Sequence, residues 1–301
     1  MTLRTLALAG ERVRVRRRTV DFLLLTKPRV VLMVLVTTFV GFQVASPGSP
    51  DPLRLVQTLI GTWLAAAGAS ALNQYLEVDV DGRMERTRRR PLPDRRLQMG
   101  EAGWFGLGLT LAGPVYLAIT VNWLSAAVVA LSAASYLLAY TPLKRRTSLC
   151  TILGAIPGAL PPVTGWVAAR GEFGLGAWVL FGILFLWQLP HTLAIACVYR
   201  RDYARADLRM LPVVDPEGGS TGRQVVINCL ALLAVGLLPT LIGMAGLIYF
   251  LGALVLGVAF LAAGCGLALR RSVGNARRLV YASLIYLPAL FALLAIDNVL
   301  F

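Results

Sequence analysis

Runs of about twenty apolar residues recur along the whole chain, and no other feature restricts its fold so tightly. Wound as a helix, such a run matches the hydrocarbon thickness of a bilayer. No water reaches that layer, so each run must satisfy its own backbone polar groups helically. Nine spans are predicted, at about 28–46, 55–76, 102–121, 123–141, 149–168, 175–198, 224–244, 247–268 and 279–299. Composition agrees: 57% of the 301 residues are hydrophobic and 15% charged, against roughly 45–50% and 25% in a soluble domain. The expected class is all-α, a polytopic integral membrane protein. The 29 glycines suit helices that pack closely in lipid.

The formal net charge is +14, and its placement carries the information. With these spans, 27 of the 29 Lys and Arg residues fall at the N-terminal side or in loops on that same side; only Arg54 and Arg170 lie opposite. The positive-inside rule then predicts a cytoplasmic N-terminus and an external C-terminus. Nucleic-acid binding would instead need a soluble basic face. Residues 1–21 read as a basic cytoplasmic segment and 22–301 as one membrane-embedded unit. The bacterial inner membrane is the expected location. An Arg-rich, acid-poor start also resembles an organellar transit peptide, which leaves the mitochondrial inner membrane as the alternative. Cys150, Cys197, Cys229 and Cys265 form no CxxC, so they signal neither zinc nor a disulfide framework.

Against this apolar background, "NQYLEVDVDGRMERTRRRPLP" (73–93) is densely charged. Asn73, Glu77 and Asp81 are spaced i, i+4, i+8, so a helix continuing through them puts one amide and two carboxylates on a single stripe. Asp79 points elsewhere. Carboxylates at membrane depth need a water-filled cavity or cationic partners. Oxygen ligands with room for phosphate suit Mg²⁺. The arginines that follow outnumber the acids, and guanidinium forks bind phosphate oxygens bidentately. A solvated loop that only sets topology is the plainer alternative.

A second mixed loop, "YRRDYARADLRMLPVVDPEGG" (199–219), follows another span on the same side. Asp202 sits one turn past the span end, so the two loops are expected to wall one Mg²⁺–diphosphate site. Lys144 and Arg145 in "YTPLKRRTS" serve equally as topology anchors or phosphate contacts. "ILGAIPGALPPVTGW" (152–166) predicts a kink or cavity, because proline removes backbone donors. His191, the single histidine, reads as a helix–helix contact or a substrate contact.

Taken together, these blocks resemble the intramembrane aromatic (UbiA-type) prenyltransferase superfamily, and within it the haem-farnesylating branch. Asn73, Glu77 and Asp81 match the first motif, Asn-x3-Asp-x3-Asp, with glutamate in place of one aspartate. "MERTRRRPL", "YTPLKRRT", "GALPPVTGW", "WQLPH" and "RRDYARADLRMLPV" are similar to blocks of that branch, and the likeness runs over about 22–300. The superfamily's second Asp-x3-Asp motif is reduced here to Asp202, with Ala206 four residues on, and Cys150 replaces a frequent asparagine.

The resemblance implies a nine-helix bundle around a central cavity, and Mg²⁺ held by Asn73, Glu77, Asp81 and Asp202. It implies diphosphate contacts from Arg86, Arg90, Lys144, Arg145 and Arg201. His191, Tyr140, Trp187 and Gln188 would face the acceptor, His191 as an axial ligand to haem iron or a polar contact that orients the porphyrin. The implied reaction joins farnesyl diphosphate and haem B to give haem O, with haem A-pathway or oxidase-assembly proteins as further partners. Another aromatic acceptor is the rival within the class, and a transporter or an assembly module the rival outside it. Transporters, however, place ionisable groups near the midplane, whereas these clusters lie at span ends.

Overall fold

Nine helices long and apolar enough to cross a membrane occur among the described residues of the computed structural model, which are 18–46 and 48–300. Nearly all of the expected N-terminal segment, 1–21, therefore lies outside the described residues. The spans are α1 (Pro28–Ala45), α2 (Pro52–Leu76), α3 (Met99–Thr120), α4 (Trp123–Leu143) and α5 (Cys150–Arg170). They continue with α6 (Leu175–Val198), α7 (Gly219–Leu241), α8 (Leu247–Arg270) and α9 (Val273–Leu300). No strand occurs among the described residues. Each expected span is found, its ends moved by a few residues.

Local chemistry sets several ends. Asp51 accepts from the amides of Leu53 and Arg54, with Pro52 opening α2. Asn122 does the same for Ser125 at the start of α4. Gly171 closes α5 in the left-handed conformation, φ 77°. The start of α8 is capped from another helix: buried Asp297 on α9 accepts from the amides of Gly246 and Tyr249 at 2.5 and 3.2 Å. Asp297→Ala leaves those donors unmatched and is expected to cost about 1–2 kcal/mol. That should appear as a lower thermal midpoint in detergent, with Asp297→Asn intermediate.

The two halves of the bundle are filled differently. Helices α6 to α9 pack on one another with large side chains, among them Leu180, Tyr249, Phe260, Tyr286 and Phe291, all essentially inaccessible. In the other half α1 lies against α5 and α2, and α4 joins α3 to α5. Alanine, glycine, serine and threonine dominate the facing surfaces there, and such short side chains leave a void.

Helix α5 stays helical through Pro157, Pro161 and Pro162. Proline at 161 cannot donate to the Pro157 carbonyl, and Ser132 of α4 supplies that donor at 3.0 Å. The Gly/Pro-rich stretch thus builds a cavity wall. At one level α5 and α1 touch backbone to backbone, where a Cβ on Gly165 would stand 2.0 Å from the Thr38 carbonyl oxygen.

Candidate functional site

The void is a cavity of about 450 Å³ framed by α1, α2, α4 and α5, with Gln188 and Thr192 of α6 on its side. That volume lies within the usual range for ligand pockets, roughly 300–1,000 Å³. Along α2 and the short stretch that follows it the lining runs Thr62, Ala66, Ser70, Asn73, Glu77 and Asp81. The carboxylate stripe therefore extends a small-residue face along the same side of the helix. The helix breaks at Glu77, φ −107° and ψ 16°, where a short helix Val78–Arg83 begins. Backbone bonds from Glu77 to Asn73 (3.0 Å) and from Asp81 to Glu77 (2.8 Å) carry the i−4 pattern across the break. The stripe survives, and exposed Asp79 is not part of the lining.

At the charged end each acidic or amide group faces a cation. Lys27 Nζ donates to Asn73 Oδ1 at 2.6 Å. Lys144 Nζ donates to both Glu77 oxygens, at 2.8 and 3.1 Å. Arg90 pairs with Asp81 at 2.7 Å. Asn73 Nδ2 donates to Glu77 at 3.0 Å and to the Thr141 hydroxyl at 3.2 Å, which orients the amide. Asn73, Glu77 and Asp81 are all buried.

Burial, with Arg90 and Lys144 nearby, draws the Lys27 ammonium down to about 7. Burial also opposes charge on Lys144, but Tyr140 and the Glu77 carboxylate outweigh it and hold this ammonium above the ordinary lysine value. The Lys144 head lies 4.3 Å from the Tyr140 ring centroid. A π-helical segment, Ser135–Tyr140, carries Tyr136 and Tyr140 into the cavity. Such bulges are frequent at functional sites.

The mouth is crossed by Arg86. Its guanidinium lies 5.0 Å from the ring centroids of both Tyr199 and Tyr203, and it donates to the Tyr203 hydroxyl at 2.9 Å. Arg83 pairs with Asp207 at 2.9 Å, and the Arg209 amide donates to the Lys144 carbonyl at 2.9 Å. The three loops are thus tied together over the opening.

The structure separates several of the residues expected at one site. Asp202 does not join Glu77 and Asp81; it lines a second cavity, of about 780 Å³, with Arg201 and Arg205, and lies 3.6 Å from Arg205. Neighbouring residues on a helix point about 100° apart, and the short helix Arg200–Arg205 turns Tyr203, not Asp202, into the first cavity. No group of three or more His, Cys, Asp or Glu residues suited to a metal occurs among the described residues. Arg145 is exposed and outside the first cavity, and Arg201 faces the second.

His191 and Trp187 point toward α9. Their rings stack at 4.8 Å, His191 Nδ1 meets the Ser283 hydroxyl at 2.6 Å, and Trp187 donates to the Ser283 carbonyl at 3.0 Å. That is the helix–helix contact reading of His191. Tyr140, Gln188, Arg86, Arg90 and Lys144 do line the first cavity. Sequence reasoning missed Lys27, although a lysine before Pro28 at the mouth of a span was a usable signal. It also missed Tyr199 and Tyr203, which carry no charge to draw attention.

Comparison with known proteins settles the family. The model of the UbiA prenyltransferase family matches residues 34–294. The chain belongs to this family. It is 48% identical to the protoheme IX farnesyltransferase of Solibacter usitatus over 287 residues, covering 92% of this chain and 98% of that one. With the protoheme IX farnesyltransferase of Salinibacter ruber it shares 43% over 277 residues, again 92% and 98%. Among solved structures it is similar to digeranylgeranylglyceryl phosphate synthase, with TM-score 0.81, 14% identity and coverage of 95% and 100%. A UbiA homologue from Archaeoglobus fulgidus bound to GPP and Mg²⁺ gives TM-score 0.64, 18% identity and coverage of 91% and 99%. At those identities the structural likeness speaks for the fold of this family member.

Proposed function

We propose that this family member transfers the farnesyl group of farnesyl diphosphate to a vinyl group of haem B, giving haem O. The relatives' names support that pairing of donor and acceptor. The observation that carries the chemistry is the charged end of the cavity, where three cations surround two carboxylates and an amide at the mouth of an apolar chamber.

Mg²⁺ fits this donor set, since Asn73, Glu77 and Asp81 offer oxygen only, and Mg²⁺ is commonly held by one or two carboxylates plus substrate phosphates. When bound, it withdraws electron density from the diphosphate and eases its departure. The remaining work belongs to side chains. Lys27, Arg90 and Lys144, now on the acidic groups, are placed to share their donors with a diphosphate and to stabilise the charge that grows as the C–O bond breaks. Arg86 adds a guanidinium held flat by two tyrosines. The leaving diphosphate takes the electron pair, and the allylic cation is captured by the outer vinyl carbon. Water then adds to the inner carbon and gives up a proton. Small apolar residues behind Asn73 keep other water away from the cation until that step.

The cationic face is then cytoplasmic, in the inner membrane of a bacterium, with 22–301 as the catalytic unit and the C-terminus external. Purified full-length protein in nanodiscs, given haem B, farnesyl diphosphate and Mg²⁺, is expected to yield a pigment heavier by one farnesyl group and one hydroxyl, with diphosphate released in equal amount. In a parallel reaction that also holds a hydroxybenzoate quinone precursor, intact haem B beside a farnesylated precursor would overturn the acceptor.

A further inference from the structure

We infer that the deep end of the cavity measures the donor's chain length, with Thr62 as the principal gauge residue; this rests on the reading of the cavity as the prenyl site. Thr62 is the lining residue of α2 farthest from the acidic end. The rise from Thr62 to Glu77 is roughly 22 Å. Thr164 on α5 and Val129 on α4 stand at a matching depth, each roughly four turns from the rim residues Thr151 and Lys144. All three deep residues are buried, whereas Val30, Gln188 and Thr192 nearer the mouth are at least partly exposed. Open to the side near the charged end, the cavity is thus shut at depth.

At this depth the helices meet. A Cβ on Gly41 would lie 2.1 Å from the Pro162 carbonyl oxygen, and one on Gly165 would lie 2.0 Å from that of Thr38. On the α2 side, Gly61 backs onto the fully buried Leu117, 2.4 Å from where its Cβ would be. Between α1 and α5 the floor is backbone against backbone and cannot retreat the way flexible side chains can, and on the α2 side it is closed by the packed Leu117 side chain. An isoprene unit too many has nowhere to go, and a unit too few leaves apolar space unfilled.

Thr62 is also free to change. Its hydroxyl is buried with no hydrogen-bond partner among the described residues. An unmatched buried hydroxyl does not hold the fold together, and replacing it by an apolar group of the same shape is close to neutral. The side chain can therefore be resized without breaking a network.

The test uses full-length protein in nanodiscs, with haem B and an equimolar mixture of geranyl, farnesyl and geranylgeranyl diphosphates, and reads product masses. Thr62→Phe is expected to shift the geranyl-to-farnesyl product ratio upward by about tenfold or more, the scale on which apolar pockets discriminate. Thr62→Ala frees only a hydroxyl and a methyl above a fixed floor, so it should raise the geranylgeranyl share by a smaller factor, about threefold to fivefold, and Thr62→Val should leave the profile within about twofold. Where Thr62→Phe makes no pigment, the same ratio is read from its affinities for the unreactive S-thiolodiphosphate analogues of the three donors. Ratios unmoved in both Phe and Ala variants, by product or by affinity, overturn the gauge. An unmodified protein that makes no haem product from any donor counts against the acceptor assignment, and the analogue affinities then decide the gauge on their own.

Discussion

Replacing Glu77 by glutamine should reduce turnover of farnesyl diphosphate about 10²–10³-fold in the presence of Mg²⁺. The substitution keeps the shape of the side chain and removes its charge. Glu77 is the residue on which the charged end converges, contacted by the Asn73 amide at 3.0 Å and by the Lys144 ammonium at 2.8 and 3.1 Å. Without the carboxylate, Mg²⁺ loses one of the two anionic groups facing the cavity. Metal-free pyrophosphate should behave the opposite way. One repelling charge has gone and Lys144 is released, so Glu77→Gln should bind it no more weakly than the parent protein does. Turnover against Mg²⁺ concentration, alongside calorimetric pyrophosphate binding with and without the metal, reads both effects. A parent-like rate at saturating Mg²⁺ would remove Glu77 from the chemistry.

The fold was legible because its governing signal is coarse. A span of apolar residues survives errors of several positions, and each of the nine was found with its ends shifted by a few residues. The stripe of Asn73, Glu77 and Asp81 was legible for a related reason: four-residue spacing on a helix is a local property, and it held even across a break at Glu77. Asp202 shows where that logic stops. Its position in sequence, one turn after a span, resembles that of Glu77, but the rotation of a six-residue helix decides which way it faces. Tyr203 took the inward place. The same holds for His191 and Trp187: α6 presents Gln188 and Thr192 to the cavity and turns those two rings toward Ser283 on α9. Lys27 was overlooked because a lone lysine at a span end is ordinarily a topology anchor. Only the packing of α1 on α2 brings it within 2.6 Å of Asn73.

The largest structural effect is expected at Gly165. A Cβ there would sit 2.0 Å from the Thr38 carbonyl oxygen and 2.6 Å from the Phe42 amide nitrogen, both backbone atoms of α1. Overpacking a filled interior usually costs about 1–3 kcal/mol, and here no flexible side chain can absorb the strain. Gly165→Val should therefore reach the upper end of that range, about 3 kcal/mol, seen as a lower thermal midpoint and a smaller monodisperse fraction after detergent extraction. Gly108→Ala is the control: the same type of residue on a span, but with nothing within 4 Å of its added Cβ. It should be neutral or slightly stabilising, because alanine favours helix over glycine. Relief of the clash at Gly165 requires α1 to tilt away from α5. Lys27 lies at the start of α1, so the tilt also draws its ammonium from Asn73. Whatever fraction of Gly165→Val folds should then bind pyrophosphate more weakly than Gly108→Ala does. Equal affinity in the two variants would mean that α1 yields locally and the charged end is held by α2 and α4 alone.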